Sequence, residues 1–219
     1  MKIQPITNVT QLSQVVDSLG FLPFFPNSIE GFSLKEATPR EYWFVKGVEG
    51  PWEWKEQIAK EGIRAYAKLF NGKAGFVSSE WYPYLANYRR GGDDFQTCYQ
   101  KGRVGHKEKL IFDALQQKGP LLSSELKYMF GKSGFDQAVT KLQMKTFVTN
   151  MDFEYKTDRF GKSYGWGIAL FSLSEEQYGE DFLVGQSDLL PDESFFIMLT
   201  HLSKQLGSVF EKEIARILR

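Results

Sequence analysis

Sulfur and imidazole are scarce in this chain. A single cysteine, Cys98, excludes a disulfide framework and a cysteine-rich zinc module. His106 and His201 are the only histidines, too few for a histidine-based metal site, and no cofactor is expected. Charge of one sign is not in excess either. The 27 basic residues balance 27 acidic ones, unlike the composition of histones and ribosomal proteins. No run of about 18 apolar residues occurs, and no basic segment leads into an apolar stretch at the start. The expectation is a cytoplasmic protein that makes no membrane contact.

Large rings are abundant by contrast. Residues 21–100 carry 18 of the 34 aromatic side chains, Trp43, Trp52, Trp54 and Trp81 among them. That density fits a core built on rings better than an exposed stacking platform. Hydrophobic residues make up 42% of the 219 positions, enough for one large domain or two small ones.

The balanced total hides a gradient. Residues 1–104 carry a net charge of +2, residues 105–172 a net of +3, and residues 173–219 a net of −5. Between Ser174 and Glu193 seven carboxylates meet no cation. A basic middle suits phosphate contacts, although ordinary solvated surface explains it as well.

Local signals predict an α+β unit over 1–104. Asn8 or Thr10 caps a helix through Leu19, which Gly20 stops. Pro23 and Pro26 keep the apolar run from Phe21 extended. Pro51 opens a helix to about Glu61. Asn71-Gly72 joins strands at 65–70 and 74–78. Ser79 caps a short helix that Pro83 limits or bends, and Arg89 to Asp94 reads as a loop.

Residues 105–172 carry the most specific pattern. Three helices are expected, over 106–118, 123–130 and 135–146. Phe147 to Tyr155 then alternates with period two, 156–163 is polar, and 165–173 is apolar again, which implies a β-hairpin with a basic tip. Leu110, Leu115, Leu126, Phe135, Val139 and Leu142 should share one core. Three helices and a hairpin are the order of a winged helix, whose third helix enters the major groove while the wing touches the backbone. At about 100° per residue, Gln137, Thr140, Lys141 and Met144 lie opposite the apolar face of that third helix. Gln137 suits an adenine edge, and Lys141 a guanine or a phosphate. Lys156, Arg159 and Lys162 occupy the wing tip. Residues 173–219 read as an acidic linker with C-terminal helices.

Several motifs fail. Gly-Lys-Ser occurs at 131–133 and 161–163, but a phosphate-cradling loop needs Gly where Leu126 and Lys156 stand. No Gly-x-Ser-x-Gly elbow exists. Cys98 and His106 alone do not make a dyad.

Longer stretches carry a resemblance. They are Gly20-Phe21-Leu22-Pro23-Phe24, Ile29-Glu30-Gly31-Phe32-Ser33 and Pro51-Trp52-Glu53-Trp54-Lys55. Gly72 to Ser78, Glu80 to Tyr84 and Ala86 to Arg90 follow, and then Leu142-Gln143-Met144 with Tyr164-Gly165-Trp166. Together they resemble the AlkZ-related family, allied to the AlkZ winged-helix DNA glycosylases. The resemblance implies a winged-helix fold and association with DNA. Those glycosylases use a Gln-x-Gln motif to position water, whereas the nearest fragment here is Gln143-Met144-Lys145. The resemblance therefore carries no catalytic residues across. Arg89 and Arg90 match the family pattern and are candidate DNA contacts. Three functions stand: a DNA-binding protein without the catalytic motif, a monofunctional glycosylase for alkylated bases, or a module that binds a protein partner.

Overall fold

The computed structural model of the chain describes residues 3–161, 163–179, 182 and 188–219. Helices surround two antiparallel sheets of three strands each, with orders β1-β3-β2 and β4-β6-β5.

Helix α1 (Val9–Leu19) starts where the Asn8 side chain accepts the Gln11 N–H. It stops at Gly20, where φ is 79° and a Cβ would lie 2.5 Å from the Trp81 ring, so only glycine fits. The chain then enters β1 (Phe21–Pro23), which pairs with β3 (Lys73–Val77). Helix α2 (Leu34–Ala37) and α3 (Pro51–Glu61) precede β2 (Ala65–Phe70). Asn71 and Gly72 join β2 to β3 with φ of 51° and 74°, the left-handed pair that a two-residue hairpin turn requires. β2 is an edge strand in this sheet.

Helix α4 (Tyr82–Arg90) departs from expectation. Pro83 falls within the first turn, where its missing N–H breaks no helical hydrogen bond. The helix runs on, so Arg89 and Arg90 form its last turn rather than a loop. Helix α5 (Phe95–Gln100), capped by Asp94, was not foreseen in the sequence.

The next segment contains α6 (His106–Lys118), β4 (Leu121–Leu122), α7 (Ser123–Phe130) and α8 (Phe135–Met144). The hairpin of β5 (Val148–Thr157) and β6 (Ser163–Leu173) follows, with Val148 opposite Leu173 and Thr157 opposite Ser163. Leu115, Leu126, Phe135, Val139 and Leu142 share one core, as the periodicity requires. Leu110 does not join them and is only partly buried. Ile111 faces inward from α6 on the same face as Ala114 and Leu115, and so does Phe112, which stacks on Phe95 of α5 at 3.5 Å between ring centres.

Helices α9 (Ser174–Tyr178), α10 (Pro191–Leu206) and α11 (Glu211–Leu218) complete the chain. Met198, Leu202, Ile214, Ile217 and Leu218 bury themselves in the same core as Leu12, Phe21, Trp54 and Phe76. The first core is thus closed by the last residues of the chain. Each fully buried large side chain contributes about 1.5–3 kcal/mol. Among the described residues no helix is long and apolar enough to cross a membrane.

Candidate nucleic-acid interface

Helix α8 lies against the free edge of β2. Gln143 is 1% exposed. Its Oε1 accepts the backbone N–H of Lys68 at 3.0 Å, and its Nε2 donates to Asn150 Oδ1 at 3.4 Å. Asn150 in turn donates to the Tyr66 carbonyl at 3.1 Å. Two side chains thereby pair the edge of β2 in place of a fourth strand. The Lys68 ammonium donates to Thr140 Oγ1 at 3.2 Å, and the Gly72 N–H points at Met144 Sδ at 3.3 Å.

This packing rearranges the face expected to meet DNA. Thr140 and Met144 face the β2–β3 hairpin and are only partly exposed. Gln137 and Lys141 remain exposed, with the Lys141 ammonium 3.4 Å from Glu108. Cover on a second flank narrows the part of the helix that remains open to a groove. The helical wheel missed this because it counts one core, whereas α8 is sandwiched between two.

The two arginines also differ from expectation. Arg90 is 2% exposed. Its Nη2 donates to the Thr146 carbonyl at 2.7 Å, its Nε to Thr146 Oγ1, and its Nη1 pairs with Glu175. The guanidinium also lies 4.4 Å from the centre of the Phe147 ring. Arg90 therefore clamps α4 to the turn after α8 and is not a surface cation. Arg89 donates to the carbonyls of Leu69 at 2.7 Å, Met144 at 3.0 Å and Leu218 at 3.0 Å, joining β2, α8 and α11. Burial pushes its pKa down to about 10, which leaves it cationic at neutral pH.

Arg89 nonetheless lines an open cleft of about 370 Å³ with Tyr88, Lys141, Met144, Lys145 and Arg219. Four basic side chains line it. The fold thus gathers Arg89, Lys141 and Met144 from the expected contact set into one basic cleft.

A second feature lies at the other end of β2. Phe44, Trp52, Tyr66, Phe153 and Tyr155 wall a cavity of about 510 Å³, with Lys55, Glu53, Gly165 and Gly167 completing it. Helix α3 supplies Trp52, Glu53 and Lys55, the segment before it supplies Phe44, β2 supplies Tyr66, and the long hairpin supplies Phe153, Tyr155, Gly165 and Gly167. Gly167 keeps its wall open, since a Cβ there would sit 3.0 Å from Tyr155 Cζ. Phe44 is 71% exposed and holds a φ of 58°, an unfavourable backbone for a bulky residue. Sequence reading assigned these rings to the core. A polar residue among them, Lys55, was the available signal.

Lys55 is 5% exposed. Its ammonium lies 3.4 Å from the centre of the Phe153 ring and 5.5 Å from that of Trp52. Glu56 Oε1 is its carboxylate partner at 3.2 Å. Burial lowers the Lys55 pKa, and Glu56 opposes that shift. The Tyr155 hydroxyl donates to the same Glu56 carboxylate, and burial with this bond raises its pKa.

The expected basic tip belongs to the hairpin that walls this cavity. Lys156 and Arg159 are exposed there, and so are Phe160 and Tyr164. Lys162 lies outside the described residues.

Comparison with family models matches residues 6–219 to the model described as AlkZ related. The chain belongs to the AlkZ-related family. Comparison with curated proteins and with solved structures gives no match. Nearly every residue of this AlkZ-related protein falls within the match. The residues of the basic cleft, the aromatic cavity and the C-terminal helices all lie within the matched range.

Proposed function

We propose that this protein binds DNA and receives an unpaired base in the aromatic cavity beside the wing. The order α6, β4, α7, α8, β5, β6 supports a winged-helix reading of residues 105–172. The family supports a relation to AlkZ-type DNA glycosylases, and hence to damaged DNA. Phosphates are gripped by Lys141 and Lys145 in the cleft and by Lys156, Arg159 and Lys162 on the wing, with Gln137 beside them. Thr140 and Met144 shape the cleft wall, while Arg89 and Arg90 hold it rigid.

The observation that carries the reading is the cavity. An extruded base needs flat walls for stacking and a side chain to fill the gap left in the duplex. Trp52, Tyr66, Phe153 and Tyr155 provide walls, and a volume near 510 Å³ lies in the usual range for small-molecule sites. Exposed Phe44 at the rim provides the wedge. The shielding of α8 by the β2–β3 hairpin favours recognition of DNA structure over reading of a base sequence.

Hydrolytic base release of the Gln-x-Gln kind is not part of this reading. Gln143 is 1% exposed and holds Lys68 and Asn150 with the two ends of its amide, which serves packing rather than a water at a scissile bond.

The test is anisotropy titration of three labelled duplexes: fully paired, with one bulged base, and with an abasic site. The expected result is tighter binding to the two defective duplexes, with affinity falling as salt rises. Equal affinity for all three, or no binding at low salt, overturns the reading.

A further inference from the structure

The lysine inside the aromatic cavity has no counterpart in a purely stacking site. A base needs rings and hydrogen-bonding groups, and an amine packed against Phe153 does more than that. We propose that Lys55 is a nucleophile that forms an imine with the ring-opened aldehyde of an abasic sugar, giving the protein lyase activity. This rests on the DNA reading above and names the chemistry of the same cavity.

Three observations support it. First, the ammonium sits among Trp52, Tyr66 and Phe153, at 5.5, 5.9 and 3.4 Å from the ring centres. A desolvated amine gives up its proton more readily and so becomes nucleophilic, the usual way a lysine is activated toward carbonyls. Second, Lys55 lines the cavity rather than lying beneath it. Third, carboxylates stand close by. Glu56 is 3.2 Å from the amine, and Glu53 lines the same cavity.

The chemistry balances without a metal or a redox partner. Glu56 takes one ammonium proton, and the neutral amine adds to C1′ of the aldehyde. The aldehyde oxygen leaves as water with two protons, and a C=N bond remains. The protonated imine acidifies C2′, and Glu53 removes a proton there. The electron pair forms a C2′–C3′ double bond as the C3′–O bond breaks, and the phosphate leaves with the bonding electrons. Water then hydrolyses the imine, freeing the amine and an unsaturated aldehyde.

The experiment is reductive trapping. The full-length protein is mixed with a duplex carrying one abasic site, at concentrations where anisotropy shows the duplex bound, and borohydride is added. The expected result is a covalent complex that survives denaturation, with the modified peptide mapping to Lys55 by mass spectrometry. Strand cleavage without borohydride should fall at least tenfold in Lys55→Met and in Lys55→Arg. Mapping on the native protein answers the question even if both variants fold poorly. Binding without trapping, or trapping at another amine, overturns the lysine chemistry and leaves the DNA reading standing. No binding to any duplex overturns both.

Discussion

Gln143 on α8 accepts the backbone N–H of Lys68 on β2 at 3.0 Å, across 75 positions of sequence. The pair closes a strand edge that would otherwise be an unpaired row of donors and acceptors. It also binds the two halves of the protein together.

Gln143→Leu should therefore destabilise the fold without touching chemistry. A buried donor left without its acceptor costs about 1–3 kcal/mol. The expected result is a lower urea midpoint of that size, with unchanged DNA affinity at temperatures where the variant is folded. A normal midpoint together with lost DNA function would make Gln143 a site residue after all.

Arg90→Met should be more damaging. It leaves the buried Thr146 carbonyl and hydroxyl without their donor and the part-exposed Glu175 without its cation, and each buried group left unsatisfied costs about 1–3 kcal/mol. Thr146 itself holds a φ of 62°, a conformation that persists only while its surroundings enforce it. Thermal melting should show the loss. A melting point within a degree or two of the native protein would show that Arg90 does not hold the turn.

Lys141, Lys145, Lys156 and Arg159 should set the salt dependence of DNA binding. Each phosphate contact removed should flatten the slope of log affinity against log salt by about one unit. Glutamine at one position at a time, titrated at four salt concentrations, measures this. Slopes identical to that of the native protein would show that these cations face only solvent.

Phe44→Gly should separate stability from function. Glycine adopts the left-handed backbone freely, so the variant should gain roughly 1 kcal/mol of stability. Losing the wedge should weaken binding to the bulged duplex more than to the paired one. Equal weakening on both would remove Phe44 from the base-capture step.

Lys55 should leave a mark on the pH dependence of folding. Its folded pKa lies below the ordinary lysine value. The unfolded chain therefore holds the proton more tightly between the two pKa values, and stability must rise with pH in that window. The window ends at the ordinary value of about 10.4. Lys55→Met lacks this group, so its midpoint should change less between pH 7 and 10.5. Parallel curves for the two proteins would mean that Lys55 is as well solvated when folded as unfolded.

Much of the local structure was legible in the sequence. Asn8, Pro51 and the Asn71-Gly72 pair act within a few residues, and each sits where its chemistry demands. The switch near Phe147 from helical to strand spacing also needed no tertiary information. Leu110 failed because a helical wheel cannot say which of two adjacent stripes meets the neighbour. Pro83 misled because a proline stops a helix or starts one according to where the first turn begins. The aromatic cavity was hidden for another reason. Rings that line a cavity and rings that fill a core have the same composition, and only their separation in space distinguishes them.

The sequence by itself determined most of the longer helices, the hairpins, most of the apolar faces of the 105–172 segment and the likeness to one family. Those follow from forces between near neighbours and from recurring residues. The tertiary structure alone decided the fate of the candidate contacts. It turned Arg89 and Arg90 inward, laid β2 over Thr140 and Met144, and left Lys141, Lys156 and Arg159 in reach of solvent. It also brought Lys55 of α3 against Phe153 of β5. The physical reason is that burial of a charge or a helix flank depends on what packs across from it, and those partners lie about a hundred residues away along the chain in the case of Lys55 and Phe153.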